Sequence, residues 1–147
     1  MFGILPDGSI PDMAMLTESI QSHEGLRLKI YNDGCGNLTI GYGRNLSAEG
    51  ISTDEANYLL ANDIQTALRA AQDEAWWSHV ANSDQRARAM VEIVFNLGIE
   101  GVRGFVNATA ALCRDDFDAA AEAFLASKWA TQVGQRAIVL AEMIRTG

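Results

Sequence analysis

The sequence predicts an α+β protein: a small N-terminal lobe with a short antiparallel sheet, joined by a long helix to a helical C-terminal lobe. Three observations carry this. Apolar and polar residues alternate along residues 26–46, the two-residue period of strands. From residue 53 onward the apolar positions recur every three and four residues, the period of helices. A helical run of about 20 residues separates the two textures, and a helix of that length spans about 30 Å.

Each element has its own signal. Asp12 precedes Met13, Leu16 and Ile20, so it caps a short helix. Gly25 suits the position just past that helix, which puts Glu24 in its last turn. Leu26, Leu28 and Ile30 alternate with Arg27 and Lys29, and Leu38, Ile40 and Tyr42 alternate with Thr39, Gly41 and Gly43. Between these runs, Asn32-Asp33-Gly34-Cys35-Gly36-Asn37 is dense in turn formers, so the pair reads as a hairpin. Ser52-Thr53-Asp54-Glu55 has the form of a capping box that starts a helix over residues 53–73. Ser83 caps a helix through Ala87, Met90, Val91, Val94 and Phe95, with breaks expected at Gly98, Gly101 and Gly104. Shorter helices are predicted near residues 106–113, 116–127 and 135–144. The whole reads as a single domain, with a lobe at 13–55, a connecting helix at 53–73 and a helical lobe at 74–147.

Composition excludes several classes. A chain of 147 residues with 48% hydrophobic content can bury a core, so disorder is excluded. No apolar run reaches the roughly 20 residues that span a bilayer, so stable membrane insertion is not expected. Residues 1–9 lack a basic stretch and carry Pro6, Asp7 and Gly8, which makes a poor export signal; folding in the host cytoplasm is the expectation. Nineteen acidic against 11 basic residues give a net charge of −8, which argues against nucleic acid as a partner. Cys35 and Cys113 lie far apart at no metal-ligand spacing and read as free thiols; no metal or cofactor is called for.

The chemistry centres on Glu24, Asp33 and Thr39. Glu24 closes a helix just before the hairpin, Asp33 sits at its turn, and Thr39 lies on the returning strand. Folding the hairpin back brings them to one surface. Glycoside hydrolysis uses two carboxyls, one delivering a proton to the leaving oxygen and one steering water or stabilising the transition state. A helix C-terminus suits a proton donor, and a polar Gly-rich turn keeps an aspartate solvated and hydrogen-bonded. This spacing alone also fits a plain helix end and an ordinary Asp-Gly turn.

The surrounding sequence decides between them. His23-Glu24-Gly25-Leu26-Arg27-Leu28-Lys29-Ile30-Tyr31, then Asp33, then Thr39-Ile40-Gly41-Tyr42-Gly43, resembles the catalytic segment of the phage lysozymes of glycoside hydrolase family 24. The resemblance continues through Val94-Phe95-Asn96-Leu97-Gly98, Gly101-Val102-Arg103-Gly104-Phe105, Ser127-Lys128-Trp129, and from Arg136-Ala137 to Arg145-Thr146-Gly147. It implies a lysozyme-like fold and hydrolysis of the β-1,4 bond between N-acetylmuramic acid and N-acetylglucosamine of peptidoglycan. Glu24 would be the general acid, with Asp33 and Thr39 positioning water, and inversion the default outcome. Asn96 and Phe105 would contact substrate. Arg136 matches an arginine that pairs with the catalytic glutamate. Arg44 stands where the T-even lysozymes have a histidine, and is expected to pair with Asp63. No cofactor is implied.

A monomer acting on the wall, with a separate membrane-opening protein (a holin) for release, completes the expectation. Two other readings keep the fold: a wall-binding or structural protein of little activity, and a lytic transglycosylase. The link between Arg44 and Ile51 is shorter than in the T-even enzymes. Other conspicuous residues read as structural: His23 as packing or helix-end charge, His79 as surface or core trim, and Trp76, Trp77 and Trp129 as packing.

Overall fold

The computed structural model describes residues 8–147; the segment 1–7, on which the reading of a missing export signal largely rests, lies outside the described residues. In chain order the elements are α1 (Met13–Glu24), β1 (Arg27–Asn32), β2 (Leu38–Gly41), β3 (Arg44–Asn45), α2 (Thr53–Gln72) and α3 (Trp77–Val80). They continue with α4 (Asp84–Arg103), α5 (Val106–Cys113), α6 (Phe117–Leu125), α7 (Lys128–Val133) and α8 (Gln135–Thr146). This is the α+β segregation expected, strands first and helices after. Two compact units divide the chain, Met1–Ala56 and Asn57–Gly147, and α2 runs from the first into the second.

In the first unit the helix signals hold. Asp12 Oδ1 accepts the backbone N–H groups of Ala14 and Met15, each at 3.1 Å, and so caps α1. Gly25 leaves the helix with φ 72°, and its N–H donates to the Gln21 carbonyl at 3.1 Å. The antiparallel sheet has the order β1-β2-β3. Tyr31 faces Thr39 and Asn32 faces Leu38 across the first pair. The third strand was not predicted: its two residues, Arg44 and Asn45, are too few to show a period, and they pair with Ile40 and Thr39. At the start of α2 the capping box forms as read. The Glu55 N–H donates to Ser52 Oγ at 3.1 Å, and the Ser52 N–H donates to Glu55 Oε2 at 2.7 Å.

The second unit has a packed helical core, in which Trp76, Met90, Ile93, Leu112, Phe124, Leu140 and Ile144 are buried. Ser83 Oγ accepts the Arg86 N–H at 3.2 Å and starts α4. Of the three glycines expected to break that helix, Gly98 does so within it, at φ 74° and ψ 159°, and Gly104 does so at its end. Gly101 stays helical and Gly104 ends the helix with right-handed angles, because a glycine permits a break without forcing one. The helix expected from residue 116 starts in an acidic run at residues 115–118, where Asp116 Oδ1 accepts the Ala119 N–H at 3.1 Å. Short α3 and α7 were missed. The helix expected over 116–127 ends at Leu125, and Ser127 then caps α7. Trp129 is buried at 4% exposure and Trp76 at 2%, so both are packing residues. Both cysteines are exposed free thiols. No helix among the described residues is long and apolar enough to cross a membrane.

Candidate active site

Glu24 is the last residue of α1 and is exposed. Its carboxylate lies beside the turn that follows β2: a Cβ placed on Gly43 would sit 3.5 Å from Glu24 Oε2. Gly43 itself holds φ 94°, a conformation side chains other than glycine's strain to adopt. The glutamate and the glycine-rich end of the hairpin therefore meet.

Asp33 begins the turn after β1. The ladder extends one rung beyond the strands, since the Asp33 N–H donates to the Asn37 carbonyl at 3.1 Å. Asp33 Oδ1 accepts the N–H groups of Cys35 at 2.8 Å and Asn37 at 3.1 Å, while Oδ2 accepts Asn37 Nδ2 at 3.0 Å. These donors favour the charged form, the Asn37 side chain most and then the Cys35 backbone, and hold the carboxyl below its ordinary value. The aspartate of this turn is hydrogen-bonded through both carboxylate oxygens.

Thr39 follows on β2. Asp33 and Asn37 are cross-strand neighbours, and Thr39 is two residues beyond Asn37, so strand alternation puts it on the same side of the hairpin. It is the buried polar residue among those described, at 4% exposure, and its hydroxyl has no hydrogen-bond partner among them.

The supporting residues distribute differently from expectation. Both terminal nitrogens of Arg44 hold Glu55 in a fork, Nη2 to Oε1 at 2.7 Å and Nη1 to Oε2 at 2.9 Å, and Nη1 also donates to the Gly50 carbonyl at 3.1 Å. The partner expected from resemblance was Asp63. Glu55 takes that place because the capping box already turns its carboxylate toward the hairpin end, whereas Asp63 lies eight residues on, about 12 Å along the helix. Asp63 lines a shallow depression with Thr66, Val94 and Phe95. Glu55 is pushed down to about 2, first by the Arg44 hydrogen bonds and then by the Ser52 N–H.

In the second unit, Asn96 Oδ1 accepts the Trp129 indole N–H at 2.7 Å. That bond fixes the amide and leaves its NH2 group as the end free to meet another molecule. Phe105 packs edge-on to Trp129, with ring centroids 6.4 Å apart, and against Phe124 at 5.3 Å. The two residues expected to contact substrate thus share Trp129 as a neighbour. Arg136 Nε donates to Glu92 Oε1 at 2.9 Å. This pair edges an apolar groove of about 510 Å³ lined by Leu60, Ile64, Leu68, Trp77, Val91 and Phe95. His79, read as surface or core trim, has its Nδ1 2.9 Å from Asp115 Oδ1 at the surface.

Sequence reasoning missed Asn37 and Glu55. Both had a visible signal. Asn37 closes the turn opened by Asp33, and Glu55 was already singled out for its cap.

A small antiparallel sheet with a helix-end glutamate at its edge, followed by a helical unit, defines a lysozyme-like α+β protein. The family model for phage lysozyme matches residues 21–144, and the chain belongs to that family. Among curated proteins it is similar to the pre-baseplate central spike protein Gp5 of Enterobacteria phage T4, at 26% identity over 170 aligned positions. That alignment takes in 97% of this chain and 29% of the relative, so the chain spans less than a third of the protein it matches.

Proposed function

We propose that this chain is a muramidase, hydrolysing the β-1,4 bond between N-acetylmuramic acid and N-acetylglucosamine of bacterial peptidoglycan. Glu24 protonates the leaving oxygen. Asp33, kept ionised, steers the attacking water with the help of Thr39. The observation that carries this reading is the hydrogen-bond ring around Asp33, which keeps one carboxylate charged in the same unit as a glutamate at a helix end. A hydrogen-bonded aspartate also occurs in purely structural turns, so the choice against a wall-binding or structural protein rests on its pairing in one unit with the helix-end Glu24. Asn96 offers its NH2 group to a sugar carbonyl, and Phe105 offers ring edge; both are substrate contacts in this reading. Arg44 and Arg136 are kept as supporting residues in this reading, and no cofactor enters.

Release from the host cytoplasm through a holin, as a monomeric endolysin, is the first setting. A second has a specific observation behind it: the T4 relative is named as a central spike protein of the pre-baseplate. In that setting the wall-cutting unit travels with the phage particle. Immunoblotting of purified particles against lysis-phase cytoplasm separates the two.

Mass spectrometry of digested peptidoglycan tests the activity. Fragments with reducing muramic ends are expected. Anhydromuramic ends would make the chain a transglycosylase, and intact wall with retained binding would make it a binding protein.

A further inference from the structure

The water-steering role given to Asp33 leaves open what sets its carboxylate. Four hydrogen bonds tie Asp33 into its turn, and Asn37 makes three of them: its backbone N–H, its side-chain amide and its carbonyl. The amide must face Asp33 with its NH2 group, because the opposite flip would set two acceptors against each other. An ionised carboxylate has about four lone-pair sites. Both sites of Oδ1 are taken by the N–H groups of Cys35 and Asn37, and one site of Oδ2 is taken by Asn37 Nδ2. One site on Oδ2 remains.

We infer that Asn37 is a positioning residue for the wall-cutting reaction: its side-chain amide locks the rotation of the Asp33 carboxylate and leaves one lone pair of Oδ2 to hold the attacking water. This rests on the reading of Asp33 as the water-steering group. Without the amide, the backbone donors hold Oδ1 alone and Oδ2 can swing about it. Charge partners do not substitute. Among the described residues no lysine, arginine or histidine forms an ion pair with Asp33. Of the groups on β1 and the turn, Arg27 is stacked over Tyr31, and Lys29 and Cys35 are the other titratable ones. The effect therefore runs through hydrogen bonding, the Asn37 side chain first, which also holds the carboxyl below the ordinary aspartate value.

Two readouts test this in the full chain, in wild type, Asn37→Ala and Asn37→Asp. The first is the carboxyl ¹³C titration of Asp33, which needs no turnover. The second is the pH profile of kcat/KM on wall fragments. The Asp33 midpoint should rise by about half to one pH unit in Asn37→Ala and further in Asn37→Asp, where a second carboxylate opposes it. The acid limb of kcat/KM should move up by the same amount, while melting at neutral pH changes little. A folded Asn37→Ala protein with an unmoved Asp33 midpoint overturns the inference, as does an acid limb that stays in place while the midpoint moves. If Asn37→Ala does not fold, wild type still decides: an Asp33 midpoint at or above the ordinary aspartate value overturns it. A wild-type chain that titrates as expected yet cuts no wall overturns the proposed function instead, and leaves the hold of Asn37 on Asp33 supported.

Discussion

Thr39 buries a hydroxyl that no described group satisfies. A buried polar group left in that state costs about 1–3 kcal/mol, so folding alone gives no reason to keep it. Valine has nearly the same shape without the hydroxyl. Thr39→Val is therefore expected to melt at the same temperature as wild type or higher, while losing about tenfold or more of its wall-clearing rate. Differential scanning calorimetry and a turbidity assay on the same preparation check it. A variant that is less stable but fully active would make the hydroxyl structural. At this scale the sequence offered the carboxyls and the threonine as candidates, because their spacing and neighbours are local properties. Asn37 was visible as the residue that closes the turn, but not as a partner of Asp33, since a turn-forming asparagine looks the same whether its amide meets solvent or a carboxylate. Nor did the sequence show that Asn96 would spend its carbonyl on Trp129, a contact across 33 residues.

Single contacts also join elements. Glu55 caps α2 and, with the same carboxylate, receives Arg44 from β3, so the end of the sheet and the start of the helix share one group. Arginine keeps its charge at every working pH, which leaves Glu55 as the titrating partner. Its value is depressed from 4.5 to about 2. A depressed carboxylate stabilises the fold above its unfolded value and loses that contribution as pH falls through the folded value. The melting difference between wild type and Glu55→Gln is thus expected to be constant from neutral pH down to about 4.5, then to close toward pH 2. A difference that does not change with pH would show that the ion pair adds nothing. In α4, Gly98 at φ 74° permits the helix to break and resume. Gly98→Ala should cost about 1–3 kcal/mol by denaturant titration, since alanine strains there; no loss would mean the helix simply straightens. Caps were legible in advance because Asp12, Ser52 and Ser83 act within three residues. The two-residue β3, the four-residue α3 and the six-residue α7 were not, because elements that short carry no period and are held by their surroundings.

For the whole molecule, the net charge of −8 opposes an anionic wall. Screening over about 10 Å at 0.1 M salt relieves a long-range repulsion. Wall-clearing activity should rise or stay level as salt increases from low to moderate, measured at fixed pH; a steep steady fall would show that a local basic patch governs approach. The α+β order was legible because two periods of hydrophobicity occupy different stretches of chain, and the family followed from the run around Glu24 and Asp33. The account stands on Glu24 as the proton donor, and one substitution reaches it most directly. Glu24→Gln keeps the size and hydrogen bonding of the side chain but cannot deliver the proton, so clearing of peptidoglycan should fall by about a hundredfold or more in a protein whose melting is unchanged. A folded Glu24→Gln chain that clears the wall at near the wild-type rate would contradict it.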